Sequence, residues 1–136
     1  MNVLSGRITA VQTHGSIALV DVEVAGQRLT ATLAGAGDDI AGWPAGMAVK
    51  MLFKETEVAL AKNLSGAISM RNRIPATVTA IERGQLLSKV TLEALGYPIA
   101  SIITTRSTEA LQLAVGDAVE ALVKANEMTV VPETAA

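Results

Sequence analysis

Two short polar segments carry the residues best suited to chemistry in this 136-residue chain: Ser69-Met70-Arg71-Asn72 and Lys124-Ala125-Asn126. Together they offer backbone N–H groups, a serine hydroxyl, a guanidinium, amides and an ammonium, and neither contains a carboxylate. Many donors, cationic assistance and no charged acceptor suit a fully deprotonated oxyanion. A plainer use exists. Arg71 and Arg73 would serve equally as solvated charges beside a strand edge, discouraging edge-to-edge pairing. Residue types alone weigh toward that plainer use.

Other chemistries find little support. There is no cysteine, which excludes disulfides and thiolate metal sites and is compatible with a reducing compartment. The one histidine, His14, sits beside Gly15 at an expected hairpin and reads as a surface turn residue. No phosphate-binding loop or dinucleotide fingerprint follows a strand. Asp38-Asp39 is the only adjacent carboxylate pair and is expected to begin a short helix in a glycine-rich segment, with Trp43 plugging a barrel end. Nothing here points to an enzyme or an organic cofactor. A net charge of -2 argues against whole-protein attraction to nucleic acid or anionic membrane. With only Trp43, Phe53 and Tyr97 as aromatics, a single-strand binder built on stacking platforms is disfavoured too. The N-terminus lacks a signal-peptide pattern, and no apolar run reaches the ~18 residues of a membrane span. A cytoplasmic protein is expected.

The elements that must position these segments follow from an internal repeat. Shifted by about 70 residues, the halves align without a gap. "ITAVQ" (8–12) falls on "VTAIE" (78–82), and "VDVEVAGQRL" (20–29) on "VTLEALGYPI" (90–99). Gly26 matches Gly96, Gly46 matches Gly116, Lys54 matches Lys124 and Glu57 matches Glu127. Two copies of one module are therefore expected, over 1–64 and 69–134, joined through the Ser65-Gly66 turn signal. In the second copy, alternation predicts strands over 73–82, 85–95 and 99–105. A short helix follows over 107–117, capped by Ser107. Two closing strands, 118–124 and 127–131, flank a tight turn at Ala125-Asn126. The fold class is all-β: two tandem OB-like five-stranded small barrels, each with a short helix. The core must be built from Val, Ile, Leu and Ala, because aromatics are only 2% of a chain that is 50% hydrophobic. Modules this small bury little surface alone, so pairing within and between chains is the natural remedy.

The stretch "SMRNRIPATVTAIERG", followed by "ASIITTRSTEALQLAVGDAVEALVKANEMTVV", resembles a Mop domain, the molybdate-binding module of the TOBE superfamily. The match covers module two in full. Module one matches more weakly, through "NVLSGRITAV" and "VKMLFKET". The resemblance implies homo-oligomers, a trimer before a dimer, with molybdate or tungstate bound where modules meet. By matching, Ser69, Met70, Arg71, Asn72, Thr104, Lys124, Ala125 and Asn126 carry over as oxyanion ligands. Met70 stands where the family has Ala, which suits a backbone N–H ligand. Asn126 stands where the family has Ser or Thr. In module one only Asn2 remains of the opening motif, and Lys54-Glu55-Thr56 forms a possible second site in which Glu55 is out of place beside a dianion. The resemblance implies a binding protein for molybdate storage or homeostasis. Its alternative is a sensing or interaction module of a molybdate-responsive regulator or transporter.

Overall fold

The computed structural model describes residues 1–35 and 37–133; residue 134, where the second module was expected to end, lies outside the described residues. Strands β1 (Asn2–His14), β2 (Ile17–Val24), β3 (Gln27–Ala34), β4 (Ala48–Phe53) and β5 (Ala59–Ala61) come from the first half, with helix α1 (Gly37–Ala41) between β3 and β4. The second half repeats the order: β6 (Asn72–Arg83), β7 (Leu87–Ala94), β8 (Tyr97–Thr104), α2 (Thr105–Ala110), β9 (Ala118–Val123) and β10 (Thr129–Pro132). A 3-10 turn precedes each last strand, at Glu55–Glu57 and at Ala125–Glu127.

Side-chain alternation explains the strands. In β2, Ala18, Val20, Val22 and Val24 are all fully buried, while Ile17, Leu19 and Glu23 face out. In β7 the same rhythm buries Ser88, Val90, Leu92 and Ala94. The second and third strands of each half meet through two-residue turns, Ala25-Gly26 and Leu95-Gly96, whose four residues all have positive φ. That is the backbone of the hairpin turn whose twist matches its strands. The repeat extends to register. β1 pairs with β4 from Asn2↔Phe53, β6 pairs with β9 from Asn72↔Val123, and each long strand shifts register at one place, Ile8/Ala10 and Val78/Ala80.

The closing strands depart from expectation. β9 and β10 do not pair with each other. The sheets run β10-β4-β1-β2-β3 and β5-β9-β6-β7-β8, so each half completes the other's sheet. The cause lies in the residues after the 3-10 turns. Val58 and Met128 are buried at 2% and 1% exposure, which draws the chain away from its own sheet and into the partner module. The result is an all-β molecule of two OB-like five-stranded units that exchange their last strands around one apolar core. The helix of module two is also earlier and shorter than expected. Thr104 caps it, its Oγ1 accepting the Ser107 N–H at 3.1 Å, and Gln112 follows at φ 50.

Candidate oxyanion-binding site

The β6/β9 ladder brings the two polar segments together within one module. Beyond the pair Asn72↔Val123, the next residues on the two strands are Arg71 and Lys124. Ser69, Arg71, Lys124 and Asn126 are exposed, and Met70 and Ala125 are half-buried. Lys124 stands at the start of the 3-10 turn in extended conformation, with the Glu127 N–H closing the turn onto its carbonyl at 2.9 Å. The Arg71 guanidinium bends back over its own segment, donating to the carbonyls of Ile68 and Ser69. The Arg71 guanidinium is thus engaged within its own segment. Arg73 points elsewhere, forked onto Glu120 through two 2.8 Å bonds that hold the Glu120 carboxyl below its ordinary pKa.

Two of the matched residues do other work. Asn72 is fully buried, and its carboxamide is engaged inside the chain. The Oδ1 accepts the Thr30 N–H at 2.8 Å, and the Nδ2 donates to the Thr30 carbonyl at 2.8 Å and to the Met128 sulfur at 3.4 Å. This amide joins β6 to β3 of the other module. Asn2 does the same in mirror fashion, with Ala100 as partner at 2.8 and 2.9 Å. Sequence reading did not assign these clamps, although the repeat pairs Asn2 with Asn72. The Thr104 hydroxyl is committed to the cap of α2 and to Ser107. It ends β8, the strand against which the first 3-10 turn and β5 pack, whereas the second 3-10 turn packs on β3.

In module one, Lys54 and Thr56 are exposed and Glu55 is half-buried in the equivalent turn. The Glu55 carboxylate receives the Met1 amine, which with its own backbone N–H holds it below its ordinary pKa, and Lys89 of module two adds a weaker pull. Glu57 folds back to accept the Lys54 N–H at 3.0 Å. His14 is exposed at the end of β1, as a turn residue should be. Trp43 is half-buried and joins Ile40, Leu33, Asn126 and Met128 around an apolar groove of about 680 Å³. Among the described residues, no group of His, Cys, Asp or Glu converges as a metal site, and no helix is long and apolar enough to cross a membrane.

A molecule made of two such modules, each setting a lysine-led turn beside the start of its first strand, defines a class. The TOBE domain model matches residues 1–60 and 68–130, and the chain belongs to that family. The molybdenum import ATP-binding protein ModC of Brucella abortus is 35% identical over 123 residues, which is 90% of this chain and 32% of that protein. The molybdenum transport protein ModE of Herbaspirillum seropedicae is 32% identical over 127 residues, 91% of this chain and 47% of that protein. The chain thus spans less than half the length of these curated relatives. A solved structure described as the cytoplasmic molybdate-binding protein ModG, with molybdate bound, superposes with a TM-score of 0.90 at 29% identity. That likeness covers 97% of this chain and 96% of that one.

Proposed function

We propose that the chain binds molybdate or tungstate in the cytoplasm, for storage or homeostasis, and carries out no catalysis. The observation that carries this reading is the end-to-end likeness to a two-module structure described as holding molybdate. The local chemistry supports it. Ser69 to Asn72 and Lys124 to Asn126 lie at the same end of β6 and β9, and their exposed members present donors and cations. The modules are read as 1–64 and 69–134, with the anion held where modules meet. Carry-over of Thr104 as a ligand then requires a module other than the one that supplies Lys124. The likeness to part of ModC and part of ModE supports a second reading, a sensing or interaction module of a regulator or transporter.

The assembly proposed here rests on the resemblance, with support from exposed apolar residues. Val3, Ile17, Leu19, Leu87 and Val115 are each at least 39% exposed on a small, aromatic-poor molecule. A homo-oligomer is expected, a trimer before a dimer. Native mass spectrometry in the presence of molybdate, sulfate or phosphate tests anion choice and assembly together. Molybdate is fully ionised near neutral pH. Phosphate is partly protonated and favours a carboxylate acceptor, and sulfate is smaller. The expected spectrum is an oligomer retaining molybdate and losing sulfate and phosphate. Equal retention of all three anions, or a monomer that still binds molybdate, would contradict the reading.

A further inference from the structure

The two 3-10 turns have one backbone and different side chains. The Glu57 N–H meets the Lys54 carbonyl at 3.0 Å, and the Glu127 N–H meets that of Lys124 at 2.9 Å. The Val58 and Met128 N–H groups meet the Glu55 and Ala125 carbonyls at 3.4 Å in both. The residues entering the turns, Lys54 and Lys124, have φ/ψ of -79/150 and -68/141. Backbone shape therefore gives an anion no reason to prefer one turn over the other.

The side chains do. Ala125 places a methyl group where module one carries the Glu55 carboxylate. Glu57 adds a second carboxylate, bonded to the Lys54 N–H, a contact that the turn of module two does not repeat. Lys54 is thus flanked by two carboxylates, whereas Lys124 has only Glu127 in its turn. The Glu55 charge is held in place by the Met1 amine, with Lys89 as a weaker cationic neighbour. Molybdate carries no proton near neutral pH, so it has nothing to donate to either carboxylate and is repelled by both, against the pull of Lys54.

Resting on the function proposed above, we infer that Glu55 is the residue that closes module one's turn to dianions, so that each chain binds through the Lys124 turn alone. Glu55 is a specificity-determining residue: its carboxylate turns one of two equivalent turns into a non-binding copy. Removing it uncovers a second site built on Lys54 and Thr56.

Calorimetric titration of the full chain with sodium molybdate tests this. Glu55→Ala and the near-isosteric Glu55→Gln are compared with the parent, each also combined with Lys124→Ala. Both Glu55 variants are expected to bind about one further molybdate per chain, and to bind it at least tenfold more tightly than the Lys124→Ala protein does. Glu109→Ala, which removes an exposed carboxylate on α2, should leave the stoichiometry unchanged. Melting curves by circular dichroism identify any variant that has lost its fold, and the glutamine variant keeps the test available if alanine perturbs the turn. Unchanged stoichiometry in a folded Glu55→Gln protein, with the parent binding normally, overturns the inference. So does a parent that loses half its sites on Lys54→Ala. A parent that binds no molybdate overturns the proposed function itself, and the parent titration alone reveals it.

Discussion

Lys124 and Arg71 occupy neighbouring strand ends, but their side chains are used differently. Nothing ties the Lys124 ammonium within the chain among the described residues, whereas the Arg71 guanidinium already donates to two carbonyls of its own segment. Removing a charge partner from a partly desolvated anion should be costly, while removing a guanidinium that faces elsewhere should not. Lys124→Ala is therefore expected to weaken molybdate binding on the order of ten- to a hundredfold. Arg71→Ala should weaken it by about threefold or less, because alanine keeps the backbone N–H. Arg73→Ala should leave affinity unchanged, since its guanidinium is forked onto Glu120. Titration of the three variants beside the parent checks the set. Normal binding by Lys124→Ala with failure of Arg73→Ala would place the site elsewhere.

At the scale of elements, the modules are joined by two asparagines and two exchanged strands. Each asparagine satisfies both the N–H and the C=O of one residue on a strand that belongs to the other sheet. Alanine at either place leaves a part-buried donor and acceptor of Thr30 or Ala100 unpaired, at up to about 1–3 kcal/mol per group. Asn72→Ala and Asn2→Ala are each expected to lower unfolding stability by about 2–4 kcal/mol in urea titrations, with Asn72 the larger because it is fully buried. A loss below half a kilocalorie would show that solvent replaces the clamp. The strands were legible in sequence because burial on one face imposes a period of two, and the repeat was legible because Gly26/Gly96 and Lys54/Lys124 stay in step. The exchange of β5 and β10 was not. A strand's partner is chosen by long-range packing, here by Val58 and Met128 entering the opposite module, and neighbouring sequence does not encode it. The Asn72 clamp was not legible for a related reason. A motif gives residue type, but burial decides whether an amide faces a ligand or a backbone, and burial at Asn72 is set by β3 of the other module.

Across the whole molecule, carboxylates bind the halves and tie the barrel wall. Lys62, from the junction, reaches Asp117 at 3.0 Å and the Gln112 carbonyl at 3.0 Å. The Asp117 carboxylate also accepts the Ala114 N–H at 2.9 Å, and that bond first, then Lys62, lowers its pKa. Glu120 is lowered by Arg73, and Glu55 by the Met1 amine. All three shifts have one sign. A carboxyl whose pKa is depressed on folding binds fewer protons folded than unfolded, so its contribution is fully present above its unfolded pKa. It fades as pH falls from there through the folded value. Stability is therefore expected to stay level on this account from neutral pH down to about pH 5, then to decline below the ordinary carboxylate range of about 4. These groups lie at the surface, so added salt should flatten the decline. Thermal melts from pH 7 to pH 3, at low and high salt, measure the slope. Lys62→Met should reduce it by uncoupling Asp117, and Arg73→Met by uncoupling Glu120. An acid slope that neither variant reduces would mean that other carboxylates govern the acid limb.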